Sequence, residues 1–191
     1  MTPRVCTRRW RPPIGNGAPD GYTGAVAAGA VAAGSSFIDI TVNNGSTAET
    51  EAYLGSNVDV GMSTGVVDSV SVTADSSVSV NADVFALAGG IGAFSANFAF
   101  VEVKPDAKAY VASGSRLDVD EGVSVTATTT PHAHAETFGV NAGGLAVGAS
   151  FADAEASPTV TAYVAGTVTA NSLSVMGYQK VPVGDYNALA E

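Results

Sequence analysis

Two histidines and a carboxylate alternate along one short stretch of the sequence. His132, His134 and Glu136 are separated by one residue each, and alternate residues of a β-strand point to the same face. Two imidazoles and a carboxylate on one face form a ligand set that suits Zn²⁺. Alignment with an earlier segment at a shift of 54 places apolar residues opposite the trio: Val78, Val80 and Ala82. The trio is therefore not part of the repeated pattern, and the sequence favours a solvated strand over a zinc site.

An acidic turn is the second candidate for metal binding. Asp118, Asp120 and Glu121 could supply oxygen ligands to Ca²⁺. The calcium-binding β-roll requires Gly-Gly-x-Gly-x-Asp, whereas the run at 89–94 ends in Phe and the run at 143–148 lacks the third Gly. We expect a solvated acidic turn and no resident cofactor, with a Zn²⁺- or Ca²⁺-binding β-repeat module as the alternative function.

Three glycine- and alanine-rich runs, at 28–34, 88–94 and 142–148, resemble phosphate-binding loops only superficially. Neither a Lys-Ser/Thr ending nor a helical pattern follows them, so their recurrence indicates packing rather than phosphate binding. No nucleophile-elbow motif occurs, and Arg116 is the only arginine beyond position 11. The sequence therefore predicts a protein that is not an enzyme. Its glycines are structural repeat positions: Gly89, Gly90, Gly143 and Gly144.

Three tyrosines occupy equivalent places in the sequence. Tyr53, Tyr110 and Tyr163 each follow an alanine and lie 20–24 residues after a glycine-rich run. Aromatic residues repeated at one position usually stack on one another, which fixes the register of neighbouring strands. The alternative is that the row of rings contacts a sugar or a partner surface.

The charge distribution excludes several classes of partner. Four of the eight basic residues lie within the first 11 positions, which leaves four against 18 acidic residues in the rest of the chain. Such a surface repels phosphate backbones, so we expect no nucleic-acid binding. No apolar stretch reaches 18 residues without interruption, so we expect no membrane insertion. The single cysteine cannot form an internal disulfide.

The elements that carry these residues recur in one order. Each glycine-rich run leads to a Tyr-bearing segment and then to a third, Ser/Val-rich segment at 68–77, 121–130 or 171–177. Apolar and polar residues alternate within the segments, which is the pattern of β-strands, and Asn, Asp, Ser and Gly mark turns between them. The sequence thus predicts an all-β chain built from three internal repeats.

Two all-β architectures fit this pattern, a sandwich or barrel and a stacked solenoid. A sandwich buries large side chains in a wide core, but aromatic residues are only 7% of this chain and its apolar residues are mostly Ala and Val. Small residues favour a parallel β-helix-like solenoid with a narrow core. With coils of roughly 18–20 residues, each repeat supplies about three coils of a rod about 40 Å long.

The repeats give the domain boundaries. Residues 1–21 carry the only Trp and Cys and four of the eight Pro, and they lack the apolar run of a secretory signal. We expect a disordered leader or non-native start over 1–21, and a tail over 179–191. Between them lie repeat 1 (22–79), repeat 2 (80–138) and repeat 3 (139–178).

The segments at 101–130 and 142–177 are similar to the β-strand repeats of large bacterial secreted proteins. VEVKPDAKAYVASGSRLDVDEGVSVTATTT and AGGLAVGASFADAEASPTVTAYVAGTVTANSLSVMG resemble repeats of leukotoxin-family filamentous adhesins and haemagglutinin-like proteins. The resemblance implies a structural or adhesive segment that is extracellular or on the cell surface, associated with the outer membrane. It also implies neighbouring repeats of a longer array as partners, and a host receptor, surface or glycan as ligand.

Overall fold

The computed structural model describes residues 20–42, 49–61, 67–181 and 188–190. The predicted leader at 1–21 therefore lies almost wholly outside the described residues, as does much of the predicted tail at 179–191. Strands take 83% of the described residues and no helix occurs among them, which confirms the all-β prediction. Accordingly, the described part of the chain holds no helix with the length and hydropathy that a membrane crossing requires.

The described residues form twelve strands, two of them very long. In chain order these are β1 (Asp20–Ala28), β2 (Val31–Val42), β3 (Glu49–Leu54), β4 (Asp59–Val60), β5 (Ser69–Val103), β6 (Asp106–Val111), β7 (Arg116–Asp118), β8 (Gly122–Ala156), β9 (Thr159–Val164), β10 (Thr167–Thr169), β11 (Ser172–Gln179) and β12 (Ala188–Ala190).

All the strand pairs are parallel and join segments that are distant in sequence. One sheet has the order β1-β5-β8-β11, with β2 also on β5 and β12 also on β8, and two smaller sheets have the orders β3-β6-β9 and β4-β7-β10. The chain is therefore divided into four successive layers. Layer 1 comprises β1 to β4, layer 2 β5 to β7, layer 3 β8 to β10, and layer 4 β11 and β12.

Layers 2 and 3 align with one constant offset along their long strands. Ser69 pairs with Gly122, and the same spacing of 53 residues continues to the pair of Val103 and Ala156. The expectation of three coils of 18–20 residues in each repeat, and of a rod about 40 Å long, is therefore wrong. Neighbouring parallel strands are about 4.8 Å apart, so segments that lie 53 residues apart in sequence are one strand separation apart rather than three.

The long strands fold back on themselves to enclose a narrow core. Even-numbered side chains of β5 are buried as far as Ala88, except the half-buried Val78, and odd-numbered side chains are buried from Ala93 onward. This change of parity marks a reversal at residues 89–92. The reversal brings Val84 against Ala99 in one apolar cluster. A second cluster packs the beginning of β5 against β6 and β7. Because the two arms lie close together, Ala and Val fill the space between them.

A column of glycines stands at the reversal. Gly29 follows the last paired residue of β1, and its N–H donates to the Gly89 carbonyl at 3.0 Å. Gly90 in turn pairs with Gly143 in the next layer. A Cβ on Gly90 would overlap the carbonyl oxygen of Gly29, and a Cβ on Gly143 would overlap that of Gly90. The backbones therefore approach too closely at this corner for any side chain. The repeated glycines stack in the order Gly29, Gly90, Gly143.

A second corner depends on one buried serine. Ser115 follows Gly114, whose φ of +78° lies in the left-handed region that glycine adopts most easily. The Ser115 hydroxyl donates to the Gly55 carbonyl in layer 1 at 2.6 Å. In layer 3 the equivalent turn is shorter by two residues, because β9 ends at Val164 and β10 begins at Thr167. The spacing between partners accordingly falls from 53 residues in β6 and β9 to 51 in β7 and β10.

The glycine column gives the first prediction. We expect Gly90→Ala to lower the free energy of unfolding by about 1–3 kcal/mol, because the backbone of layer 1 or 2 must move to admit the methyl group. Gly89→Ala is the matched control, since the nearest atom to its new Cβ is the Ala142 carbonyl oxygen at 3.9 Å. Denaturant unfolding of both variants measures the difference, and equal losses at Gly89 and Gly90 would contradict the close approach.

Candidate functional site

The tyrosine positions are brought together on one outer face. β3, β6 and β9 pair in parallel so that Tyr53 aligns with Tyr110 and Tyr110 with Tyr163. Their neighbours on the opposite face, Ala109 among them, point into the core. Alternation along each strand therefore directs alanine inward and tyrosine outward, and the three rings form a continuous row that we call the tyrosine ladder.

The rings of the tyrosine ladder stack face to face. The Tyr53 and Tyr110 centroids are 5.1 Å apart with an angle of 11° between the planes, and those of Tyr110 and Tyr163 are 5.0 Å apart with an angle of 9°. Each inner ring face is thus covered by the next tyrosine. The ladder can offer ring edges, hydroxyl groups and the two outermost ring faces to a ligand. It cannot offer three separate platforms on which sugar rings would stack.

A charged pair borders the tyrosine ladder. Lys108 Nζ lies 3.1 Å from Glu51 Oε1 in the neighbouring strand and 5.1 Å from the centre of the Tyr110 ring. The lysine therefore bridges layers 1 and 2 beside the aromatic row. Desolvation raises the pKa of Tyr110, and the Glu51 carboxylate raises it further. A phenol is protonated at neutral pH even at its ordinary pKa, so Tyr110 acts as a neutral hydroxyl group.

The histidine pair and Glu136 share one face of β8, as predicted from their spacing. The intervening residues Ala133 and Ala135 are buried in the core, so the trio points outward. The predicted alignment at a shift of 54 is wrong, because the register of 53 pairs the trio with polar residues: Ser79, Asn81 and Asp83. The neighbouring layer therefore presents polar groups to the histidines rather than a valine and alanine surface.

Contacts across the layers hold His132 in place. Its Nδ1 shares a hydrogen bond with the Ser79 hydroxyl at 3.2 Å. Desolvation lowers the pKa of His132, and the nearby His134 lowers it further. Within the described residues, no group of three or more His, Cys, Asp or Glu side chains is placed to hold one metal ion. Shared orientation along a strand thus does not by itself bring three side chains to one point, and metal binding by the trio stays a prediction.

The acidic turn is organised by its backbone. Asp120 N donates to the Val67 carbonyl at 3.0 Å and Glu121 N to the Asp68 carbonyl at 2.8 Å. From layer 4, the Asn171 amide donates to the Asp120 carbonyl at 2.6 Å. Asp118 lies at the end of β7 with its side chain exposed. The main chain of this turn therefore joins three layers, while its carboxylates face solvent.

The predicted glycine positions differ in what they do. Gly90 and Gly143 belong to the glycine column, whereas Gly89 aligns with Ala142 and has room for a Cβ. A Cβ on Gly144 would lie 3.3 Å from the Ile91 carbonyl oxygen, a tight but less severe contact. The identical Ala-Gly-Gly sequences at 88–90 and 142–144 are thus offset by one residue in the pairing of β5 with β8.

The sequence did not predict two equivalent hydrogen bonds, made by Ser36 and Asn97, that we call the polar clamps. Ser36 aligns with Asn97, and both side chains are buried at inward positions of their strands. The Ser36 hydroxyl donates to the Phe85 carbonyl at 2.9 Å, and the Asn97 amide donates to the Phe138 carbonyl at 3.2 Å. Phe85 and Phe138 are themselves partners. Each clamp therefore ties one arm of a layer to the opposite arm of the next. A polar residue at an inward position of an alternating strand is the signal that would have revealed them.

Comparison with protein-family models, curated proteins and solved structures gives no match.

The pKa of His132 gives the second prediction. The pKa of His132 is lower in the folded protein than in the unfolded chain, so protonation favours unfolding. The free energy of unfolding therefore decreases as the pH falls below the pKa of the unfolded chain, near 6.5. We expect His132→Asn to reduce the fall in melting temperature between about pH 7.5 and about pH 5.5.

Ser79→Ala is the control for this experiment. It removes the hydrogen-bond partner of His132 Nδ1 but leaves the imidazole in place, so we expect the pH dependence to persist. A His132→Asn variant whose melting temperature falls as steeply as that of the original chain would refute the assignment.

Proposed function

We propose that this chain is a β-solenoid segment, built from three repeats, of a large secreted or cell-surface protein, and that its role is structural and adhesive rather than enzymatic. The observation that carries the proposal is the in-register stacking of equivalent residues. Tyr53, Tyr110 and Tyr163 form one continuous row, and Phe37, Phe98 and Phe151 align in the same way. Parallel main-chain pairing continued through successive layers is the construction of a solenoid.

Two further features support a structural role. The apolar clusters run through the layers and include partly buried residues of layers 1 and 3, such as Ile38 and Ala154. The body beyond residue 11 is strongly acidic, which favours solubility at an exposed surface. The similarity of residues 101–130 and 142–177 to repeats of filamentous adhesins and haemagglutinin-like proteins supports the same role and an extracellular location.

The adhesive part of the proposal rests on repetition. The ladder sets equivalent groups about 5 Å apart along the stacking direction, so a partner with a similar repeat could contact several at once. Individually weak contacts then sum, and linked contacts raise the apparent affinity by about 10²- to 10⁴-fold over single ones. The hydroxyl groups and edges of the tyrosine ladder, flanked by Lys108 and Glu51, are the surface that we propose for these contacts.

Force spectroscopy tests the solenoid. If each layer is held chiefly by its neighbours, stretching the chain from its ends will release layers one at a time. A layer of 53 residues adds about 18 nm of contour length when extended. We expect successive steps near this value. A single release of the whole body, or steps unrelated to the repeat length, would contradict stacked layers.

Multivalent display tests the adhesive role. We expect beads that carry many copies of the chain to bind to glycan or extracellular-matrix arrays. The apparent affinity of the beads should exceed that of single chains by at least about 100-fold. A variant with phenylalanine at positions 53, 110 and 163 is the matched comparison. It keeps the aromatic stack but loses the hydroxyl groups, so we expect several-fold weaker bead binding at an unchanged melting temperature. Absence of binding by the multivalent beads would overturn the adhesive role.

A further inference from the structure

The outer face of the second arm of the long strands is apolar. Beyond the reversal, inward side chains of β5 such as Ala93 and Ala99 are buried, so the residues that alternate with them point outward. The outward side chains of β2, β5 and β8 align in rows across layers 1 to 3. No Asp, Glu, Lys or Arg occurs at 31–38, 92–101 or 145–152. We call the outward side chains of 31–37, 92–98 and 145–151 the phenylalanine face.

The phenylalanine face is exposed in the middle layer as well as in its neighbours. Phe94 and Phe98 of layer 2 are 40% and 38% exposed, although β2 and β8 flank them on both sides. Val31 and Leu145, in the flanking layers, are 75% and 60% exposed. Contiguous exposed apolar surface of this kind marks an interaction site.

The rows of the phenylalanine face differ in size. The largest side chains form the row of Phe37, Phe98 and Phe151. Two residues closer to the reversal is a row of small side chains, namely Ser35, Ala96 and Ala149. The next two rows are those of Ala33, Phe94 and Val147, and of Val31, Gly92 and Leu145. A ridge of phenylalanines thus borders a shallow groove, about 7 Å away along the strands.

The phenylalanine face is complementary to itself under a two-fold rotation. The axis runs parallel to the stacking direction, between the row of Phe94 and the row of Ala96. Rotation about it reverses the strand direction and places each layer opposite the same layer of the other copy. Phe94 then lies over Ala96, and Phe98 lies over Gly92. The hollow at Gly92 is bordered by Phe94 and Val31, whose nearest atoms lie 3.6 and 4.0 Å from the position of a Cβ. Large side chains of layer 2 therefore meet small ones.

Charge favours this arrangement over other ways of joining two copies. A net charge of −10 opposes contact between charged surfaces, whereas the phenylalanine face is uncharged. Asp39 and Asp153 border it, on either side of Phe100. The two-fold axis places each of these carboxylates beside the reversal of the other copy, at the margin of the contact. An axis parallel to the strands would instead place Asp39 over Asp153 and the phenylalanine ridge over itself.

We propose that a second copy of this chain docks on the phenylalanine face and forms a two-fold dimer. This inference rests on the register of the described strands and not on the adhesive role. Three strands of seven residues make a face of roughly 14 by 23 Å, so two such faces bury on the order of 700 Å². Stable interfaces bury about 1,200 Å² or more, so the dimer is weak and reversible. It closes at two copies because both use the same face.

Sedimentation velocity of the full chain tests the docking. Between about 5 µM and about 500 µM, we expect a monomer–dimer equilibrium that sulfate shifts toward the dimer. Ala96→Lys fills the groove with a charged side chain, so we expect at least about tenfold weaker association. Ser77→Lys is the charge-matched control, because Ser77 is an exposed residue on the first arm of β5. We expect it to associate as the original chain does.

A mixture of two variants tests the two-fold axis. Phe94→Asp alone will also associate at least about tenfold more weakly than the original chain, because it places a carboxylate against Ala96. In a dimer of Ala96→Lys with Phe94→Asp, one lysine meets one aspartate, while Phe94 of the first copy keeps its contact with Ala96 of the second. We expect the mixture to associate at least about fivefold more tightly than either variant alone.

Several results would overturn the inference. One is a chain that stays monomeric at about 500 µM, and another is an Ala96→Lys variant that dimerises as tightly as Ser77→Lys. Species larger than a dimer would contradict the closed two-fold contact, as would a mixture no tighter than its separate variants. Melting temperatures verify that the variants are folded. Ser35→Lys, at an exposed position of the same row, replaces Ala96→Lys if that variant does not fold. Force spectroscopy on single chains and bead binding test the solenoid and the adhesive role separately.

Discussion

In-register parallel pairing between successive layers is the interaction on which the rest of the structure depends. Every residue from Ser69 to Val103 except Ile91 pairs with β8 at a constant spacing of 53, so nearly every side chain has its equivalent directly beside it. This arrangement constrains the sequence strongly. A residue type that stacks well on itself, such as tyrosine or phenylalanine, forms a row. A residue whose backbone must touch the next layer has to be glycine at every level, as in the glycine column.

The narrow core follows from the same constraint. Since each long strand reverses at one corner and returns, the two arms of a layer face each other at close range, and side chains such as Val84 and Ala99 fill the gap. Large residues have no room between the arms, and most of the phenylalanines point outward. Each small side chain buries little apolar area, and the hydrophobic contribution scales with that area. Stability therefore accumulates by repetition and by main-chain pairing, with the Ser36 and Asn97 clamps joining the arms.

The sequence was sufficient for the class of fold but not for its dimensions. Alternation of Val with Ser or Thr predicted strands, because a period of two is the period with which side chains alternate between the faces of a β-strand. The recurrence of the Ala-Tyr segments predicted which residues would align. The predicted size of a layer was wrong, because the length of a sequence repeat does not say whether the repeat forms one layer or three. The predicted shift of 54 came from aligning the two Ala-Gly-Gly sequences at 88–90 and 142–144. A slip of one residue turns each side chain to the other face, so it exchanged Ser79 and Asn81 for Val78 and Val80. Residues 132, 134 and 136 share a face, but strand geometry alone could not say whether their side chains converge.

The acidic surface and the stacked rows act against each other, because in-register stacking places equivalent residues side by side and like charges in that position repel. Here the carboxylates of Asp39 and Asp153 lie in layers 1 and 3, at positions that align with Phe100 in layer 2. Inside the chain the phenylalanine keeps these carboxylates apart, and its ring contacts Phe37 and Phe151 at centroid distances of 5.8 Å and 5.5 Å. The same position thus stabilises the contact between layers through its ring, and it prevents the like charges of layers 1 and 3 from becoming direct neighbours.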